Sequence, residues 1–165
     1  MSTIQKITAN LWFNTEAEDA VRHYTSIFNN SSIGKITRYG KQRQIISGIS
    51  EGDVMTISFT IEGQEFVALN GGSTHKFTEA ISFIVHCATQ EELDYYWTKL
   101  SEGGAEKAQV CGWLKDRFGV SWQIVPVSLN DMIADPDPDK SQRVMNAVMK
   151  MKKIDLSVLE DAYTQ

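Results

Sequence analysis

The chain has little of what lets a small protein dispense with a core. Its 165 residues include two cysteines, three histidines and three prolines. Cys87 and Cys111 stand apart, outside any CxxC spacing, so they make neither a disulfide framework nor a cysteine–zinc motif. Both read as reduced thiols, which points to a cytoplasmic protein. His23, His75 and His86 form no i, i+4 pair and no HExxH, which excludes a helix-borne zinc site. No apolar run approaches the roughly 18 residues that cross a bilayer. The stretch Met1 to Lys6 lacks the apolar centre of a secretory signal. The net charge of −5 argues against generic nucleic-acid binding. No GxGxxG occurs, so the Rossmann way of holding a nucleotide is absent.

What is present is the make-up of an ordinary soluble domain. The hydrophobic share is 42% and the charged share 22%. Such a chain is long enough to bury a core unaided. Ile7, Leu11 and Phe13 alternate with Thr8, Asn10 and Trp12, the period of a half-buried strand. Asn14-Thr15 offers a helix N-cap, followed by acidic residues and an apolar stripe of Ala20, Val21, Tyr24, Ile27 and Phe28. This predicts a helix over 16–28. A strand is expected over 33–39, an irregular polar loop over 40–53, and two strands over 54–61 and 65–70 joined by a tight turn at Glu62-Gly63-Gln64. After a linker at 71–76 the pattern restarts. A strand is expected over 80–86, then a helix over 90–102 capped by Thr89 and ended by Gly103-Gly104, then a short strand near 106–110.

The restart is a repeat in register. A shift of 72 residues superimposes Phe13 on Val85, Val21 on Leu93, Tyr24 on Tyr96 and Phe28 on Leu100. Each unit then reads as βαβββ, a strand and helix followed by further strands. The second unit closes with the stretch Cys111 to Pro126, which reads as a β-hairpin turning between Asp116 and Gly119. It carries a thiol, two indoles and the lone amide Gln123.

Paired βαβββ units of this kind resemble the vicinal oxygen chelate superfamily of glyoxalases, extradiol dioxygenases and fosfomycin- or bleomycin-resistance proteins. Several stretches are similar to its PhnB-like branch, which carries the name 3-demethylubiquinone-9 3-methyltransferase. They are 7–13 (ITANLWF), 66–72 (FVALNGG), 79–83 (EAISF), 90–97 (QEELDYYW), 111–116 (CGWLKD) and 135–138 (DPDP). The resemblance implies an α+β fold: two βαβββ modules forming a glyoxalase/bleomycin-resistance-like open barrel, with a helical C-terminal extension. The modules are expected over about 4–72 and 78–126, and the extension over 127–165.

Metal enzymes of the superfamily place His or Glu at four cleft-facing strand positions. Strand register puts those positions at Thr8, Ala68, Ala80 and Gln123. Two alanines, a threonine and a glutamine are a poor donor set for a transition metal. Hence no metal and no cofactor are expected. Alternation instead lines the cleft with Thr8, Asn10, Trp12, Asn70, Ser82, Cys111, Trp113 and Gln123, with Ser121 on the face of Gln123. Neutral polar groups among aromatics suit a flat or amphipathic small molecule. The blander role for each indole is core or subunit contact. Cys111 has no histidine near it in sequence to activate it as a nucleophile.

The leading expectation is a small-molecule-binding protein with a metal-free cleft, without nucleic-acid or membrane partners. The rivals are the methyltransferase of the family name, a glyoxalase- or dioxygenase-like metalloenzyme, and an antibiotic-binding resistance protein whose acidic surface attracts cationic drugs. Past Pro126 the chain reads as helical. Asp137 and Pro138 mark a helix start, and Val144, Met145, Val148 and Met149 recur at helical spacing. Four of the six methionines fall between 132 and 151. This tail is expected either at the interface of a homodimer or folded back on its own sheet.

Overall fold

The computed structural model describes residues 4–41 and 48–165. The chain divides into two compact units, Met1–Phe77 and Thr78–Gln165.

The first unit comprises β1 (Ala9–Phe13), α1 (Ala17–Ile27), β2 (Ser32–Arg38), β3 (Val54–Ile61) and β4 (Gln64–Asn70). Its sheet runs β1-β4-β3-β2, with β1 parallel to β4 and the other pairs antiparallel. The β3–β4 connection is the expected tight turn. Glu62 and Gly63 both have positive φ (47° and 78°), the geometry of a two-residue type I′ hairpin. Helix α1 covers one face of the sheet. Val21 and Tyr24 on the helix pack with Phe13, Ile57, Phe59 and Ala68, all within 2% of full burial. The irregular loop expected over 40–53 lies partly outside the described residues.

The cap of α1 differs from expectation. Asn14 and Thr15 do not cap it; the N-cap position is Glu16, whose side chain makes no capping bond. The Ala17 N–H instead donates to Asn70 Oδ1 at 2.8 Å, from the end of β4. Asn70 Nδ2 in turn donates to the Val54 carbonyl at 3.1 Å. One buried amide thus ties α1, β3 and β4 together, and leaves neither of these buried backbone groups unpaired.

The second unit comprises β5 (Phe83–Cys87), α2 (Gln90–Ser101), β6 (Trp113–Lys115), β7 (Ser121–Pro126), α3 (Leu129–Ile133), α4 (Pro138–Val148) and α5 (Leu156–Thr164). The sheet runs β5-β7-β6, with β5 parallel to β7. The repeat is visible here: a first strand, its helix, and a last strand parallel to the first. Thr89 caps α2 as expected, its Oγ1 accepting from the Glu92 N–H at 3.2 Å.

The strand expected near 106–110 is a 3₁₀ turn, Glu106–Ala108, followed by a single bridge between Val110 and Trp113. This unit is therefore βαββ, and its strands stay in a sheet separate from the first. Two features remove the strand. Gly104 lies so close to the hairpin that a Cβ there would sit 2.1 Å from the Lys115 carbonyl. Cys111 and Gly112 then take positive φ (54° and 83°), closing a type I′ turn directly onto β6.

The tail packs within its own unit. The N–H groups of Cys111 and Gly112 donate to the carbonyls of Met151 and Lys152, each at 2.8 Å. Gln90 on α2 clasps the next residues, its Oε1 accepting from the Leu156 N–H at 2.8 Å. Asp137 caps α4 with Pro138 in its first turn, as expected, and Asp155 caps α5. Val144, Ile154 and Leu159 are fully buried in the single chain. Among the described residues no helix is long and apolar enough to cross a membrane.

Candidate ligand-binding faces

In each unit a helix packs on one face of the sheet, α1 in the first and α2 in the second, and the face away from that helix is the open one among the described residues. Register assigns side chains to these faces, because residues paired across a sheet point the same way. In the first unit Leu11 pairs with Ala68, and Phe13 with Asn70; these lie on the α1 side. Asn10 pairs with Val67, and Trp12 with Leu69, on the opposite side. Thr56 and Ser58 of β3 join this second face through Leu69 and Val67. It is a plain of hydroxyls, with Thr56 Oγ1 2.6 Å from Thr37 Oγ1 and Ser58 Oγ accepting from the Lys35 N–H at 2.7 Å.

The expected site residues of this unit therefore do not assemble together. Asn10 and Trp12 share the open face. Ala68 and Asn70 do not; they are buried beneath α1, and Val67 and Leu69 take the open positions. Phe66, Ala68 and Asn70 read as easily for one face as Val67 and Leu69 do, so alternation alone could not decide. Thr8 precedes β1, is exposed, and accepts a hydrogen bond from Gln5 Nε2 at 3.4 Å. Trp12 donates from Nε1 to the Gly72 carbonyl at 2.8 Å and meets the His75 ring edge-on at 4.7 Å. A Cβ on Gly71 would fall 2.2 Å from the same indole, so a glycine at this position lets the chain pass Trp12.

In the second unit the register places more of the expected residues on one face. Phe83, Val85, Cys87, Leu114, Trp122 and Ile124 lie on the α2 side. Gln123 pairs with Ile84 on one flank and Trp113 on the other, and Ser121 pairs with Lys115. All five side chains therefore share the open face. Gln123 Nε2 donates to Ser82 Oγ at 2.9 Å. Three of the expected residues, Ser82, Trp113 and Gln123, are thus brought into one patch. Ala80, the remaining candidate metal position, sits in the turn before β5 and is exposed.

Lys115 and Glu79 had no place in the sequence reading of the site. Lys115 donates from Nζ to Glu79 Oε1, and this bond holds the Glu79 carboxyl below the usual carboxylate range. The signal was present in the hairpin: Lys115 and Ser121 flank the turn at equal distances, which sets them opposite each other.

Two groups of the hairpin are structural. Asp116 is buried, its Oδ1 accepting from the Phe118 and Val120 N–H groups and its Oδ2 from Trp122 Nε1 at 2.9 Å. It folds the turn and anchors Trp122 under α2. Cys111, expected beside Trp113 in the cleft, occupies the I′ turn, and its Sγ lies 3.7 Å from Met149 Sδ of the tail. Burial, with Glu92 adding to it, pushes the Cys87 thiol up to about 12, so it stays protonated and inert at neutral pH.

The sequence model of the 3-demethylubiquinone-9 3-methyltransferase family matches residues 5–125. The chain belongs to that family. A PhnB protein from Bacillus cereus, provisionally named for the same activity, is 38% identical, with a TM-score of 0.64 over 74% of this chain and 100% of its own. A Staphylococcus aureus protein is 31% identical over 74% of this chain and 96% of its own, with a TM-score of 0.34. Protein PA1353 of Pseudomonas aeruginosa, 18% identical over 75% of this chain and 98% of its own, shares the fold at a TM-score of 0.57. No curated protein matches.

The metal of the wider superfamily does not fit the residues of this PhnB-like chain. Of the four candidate positions, Thr8 and Ala80 lie outside any strand, Ala68 is buried under α1, and only Gln123 offers a donor, a neutral amide, from a strand. Among the described residues no three of His, Cys, Asp and Glu gather where they could hold an ion.

Proposed function

We propose that this PhnB-like protein binds a flat, oxygen-bearing small molecule on the open face of its second unit. The observation that carries this reading is the patch itself: the Ser82–Gln123 hydrogen bond lying beside the Trp113 indole, on the sheet face away from α2. An indole offers area for stacking at low entropic cost, and a hydroxyl–amide pair can reorient toward either a donor or an acceptor.

The family name adds a methyl transfer to such binding, with a quinol as acceptor and S-adenosylmethionine as donor. A quinol ring suits the patch by shape and polarity. The donor is the discriminating half of that activity. Isothermal titration with S-adenosylmethionine and with a short-chain quinone separates the two readings. Quinone binding without the donor supports a binding protein; micromolar binding of the donor makes the chain a methyltransferase candidate. Loss of quinone binding in Trp113→Ala, with the melting temperature kept, assigns the face. Unaltered binding in that variant refutes it.

The protein is further expected to work in the cytoplasm as a homodimer. Ile81 and Ile84, close in the second unit, are 75% and 50% exposed in the single chain, apolar surface that a second copy would cover. Light scattering at tens of micromolar decides this, and a monomer there would sink the dimer.

A further inference from the structure

The open face of the second unit holds one polar group that the fold leaves unanswered. Ser121 is 2% exposed, and its Oγ has no hydrogen-bond partner among the described residues. A buried hydroxyl without a partner costs stability, and folds seldom retain one without a use for it. Its position is specific. Ser121 pairs directly with Lys115 across the hairpin, and Gln123 follows two residues later on the same face. The three side chains form a short row of donors: an ammonium, a hydroxyl and an amide.

Lys115 is already matched to an acceptor, but a loosely held one. The Lys115 side chain is 24% exposed and that of Glu79 63%. At its Glu79 end the pair is open to water, where screening and side-chain entropy offset much of the Coulomb attraction. Glu79 also comes from the turn before β5, outside any strand or helix. A carboxylate is therefore held against the row by a bond that a second carboxylate can replace at small cost.

We infer that Lys115, Ser121 and Gln123 form an anion-recognising end of the ligand face, taking a carboxylate or phenolate oxygen whose place on Lys115 is held by Glu79. The inference rests on the proposed binding reading, and it narrows the ligand to a flat ring bearing an anionic oxygen. The ring lies toward Trp113, which flanks Gln123, and the anion lies toward Lys115, which flanks Ser121. The charge comes from Lys115, the Ser121 hydroxyl finds its acceptor, and Gln123 can turn from Ser82 to the ligand or hold both.

The test compares 2-naphthoate with its neutral analogue 2-naphthamide on the full chain, followed through the backbone and indole resonances of Trp113 and Gln123. Naphthoate should bind at least about tenfold more tightly, the value of one charge-assisted hydrogen bond over a neutral one. Lys115→Met should erase that preference. Glu79→Gln should tighten naphthoate binding severalfold by removing the competitor. Ser121→Ala gives the split that a structural role would not: its melting temperature should equal or exceed the parent's, while naphthoate binding weakens about three- to tenfold. Equal affinity for the two compounds overturns the anion site and leaves the binding face standing. A lower melting temperature in Ser121→Ala with unchanged affinity overturns the role of Ser121. If neither compound moves these resonances, the binding face falls with the inference.

Discussion

The two units solve one problem at the same topological point in different ways. In each, a helix follows the first strand and needs its leading N–H groups satisfied. In the second unit the helix does this itself: Thr89 caps α2, and Glu92 reaches back to the Ala88 N–H at 2.6 Å. In the first unit the helix borrows its acceptor from Asn70, the last residue of the strand parallel to β1. The corresponding last residue of β7 is Pro126, which has no side-chain acceptor to lend. A local cap stabilises one helix. A borrowed cap joins helix, sheet and turn, since Asn70 also binds Val54, and its carbonyl accepts from the Tyr39 hydroxyl. In the first unit one buried residue thus links the helix start to two strands, whereas in the second the helix start is held by residues of its own first turn.

The largest effect should come from breaking that node. Asn70→Ala strands a buried N–H at Ala17 and a buried carbonyl at Val54, at about 1–3 kcal/mol for each. A total loss of roughly 2–6 kcal/mol is expected from urea unfolding. Asn70→Asp sharpens the result. It keeps an acceptor for Ala17 at a helix N-terminus but loses the donor to Val54, so it should fall between the parent and the alanine variant. A loss under about 1 kcal/mol for Asn70→Ala would mean that the coupling is not there.

This node also marks the limit of what the sequence could tell. The period-two pattern of β1, the helix stripes, the Glu62-Gly63 turn and the capping by Thr89 and Asp137 were all legible, because each depends on residues a few positions apart. The face of β4 was not. Both of its faces carry apolar side chains, so Asn70 read as a cleft residue when it is a cap supplied from 53 residues away. The missing strand near 106–110 has a similar cause: Gly103-Gly104 reads as a helix stop, and nothing local reveals that Gly104 touches the Lys115 carbonyl. Of the candidate site, the shared face of Gln123 and Trp113 was readable from the hairpin pattern, whereas Ser82, read as a strand residue, lies just before β5. The role of Lys115 required knowing the hairpin register.

The second unit should break at its clasp rather than at a cap. Gly112 has a φ of 83°, and a Cβ there would lie 3.0 Å from the Ile124 carbonyl and 3.1 Å from Ile154 Cγ1. Gly112→Ala therefore combines left-handed strain of about 1–2 kcal/mol with pressure on the buried residue that seats the tail. A total of about 2–3 kcal/mol is expected. Hydrogen exchange should locate the loss in residues 138–164, with residues 9–70 protected as before. Uniform loss across both units would instead show them to be one cooperative body.

Thr89→Ala is the matched counterpart of Asn70→Ala and should cost only about 1 kcal/mol, the usual value of a single side-chain cap. Glu92 still holds the Ala88 N–H in that variant, which limits fraying to the first turn. If Thr89→Ala proves as damaging as Asn70→Ala, the contrast between local and borrowed caps collapses.

The smallest effect is a dependence on acid carried by three carboxylates of the second unit. Lys153 and Gln90 hold the Asp94 carboxyl below its ordinary 3.8 by hydrogen bonding. The Ser157 hydroxyl and the Val158 N–H do the same for Asp155 at the start of α5, and the Tyr163 hydroxyl for Asp135. Each carboxylate is easier to ionise in the folded chain than in the unfolded one. Its contribution is complete above the ordinary value of 3.8 and is lost as the pH falls below it, through the lowered folded value. All three lie in exposed settings, so the loss should loosen the tail without unfolding the sheets. Amide resonances of residues 138–164 should broaden or shift below pH 4 before those of residues 9–70. Asp155→Asn isolates one of the three. Asparagine caps a helix about as well as aspartate but cannot be neutralised. That variant should therefore keep α5 at neutral pH and retain its first turn further into acid than the parent does. Parent and variant loosening at the same pH would remove Asp155 from the account and leave the acid response to Asp94 and Asp135.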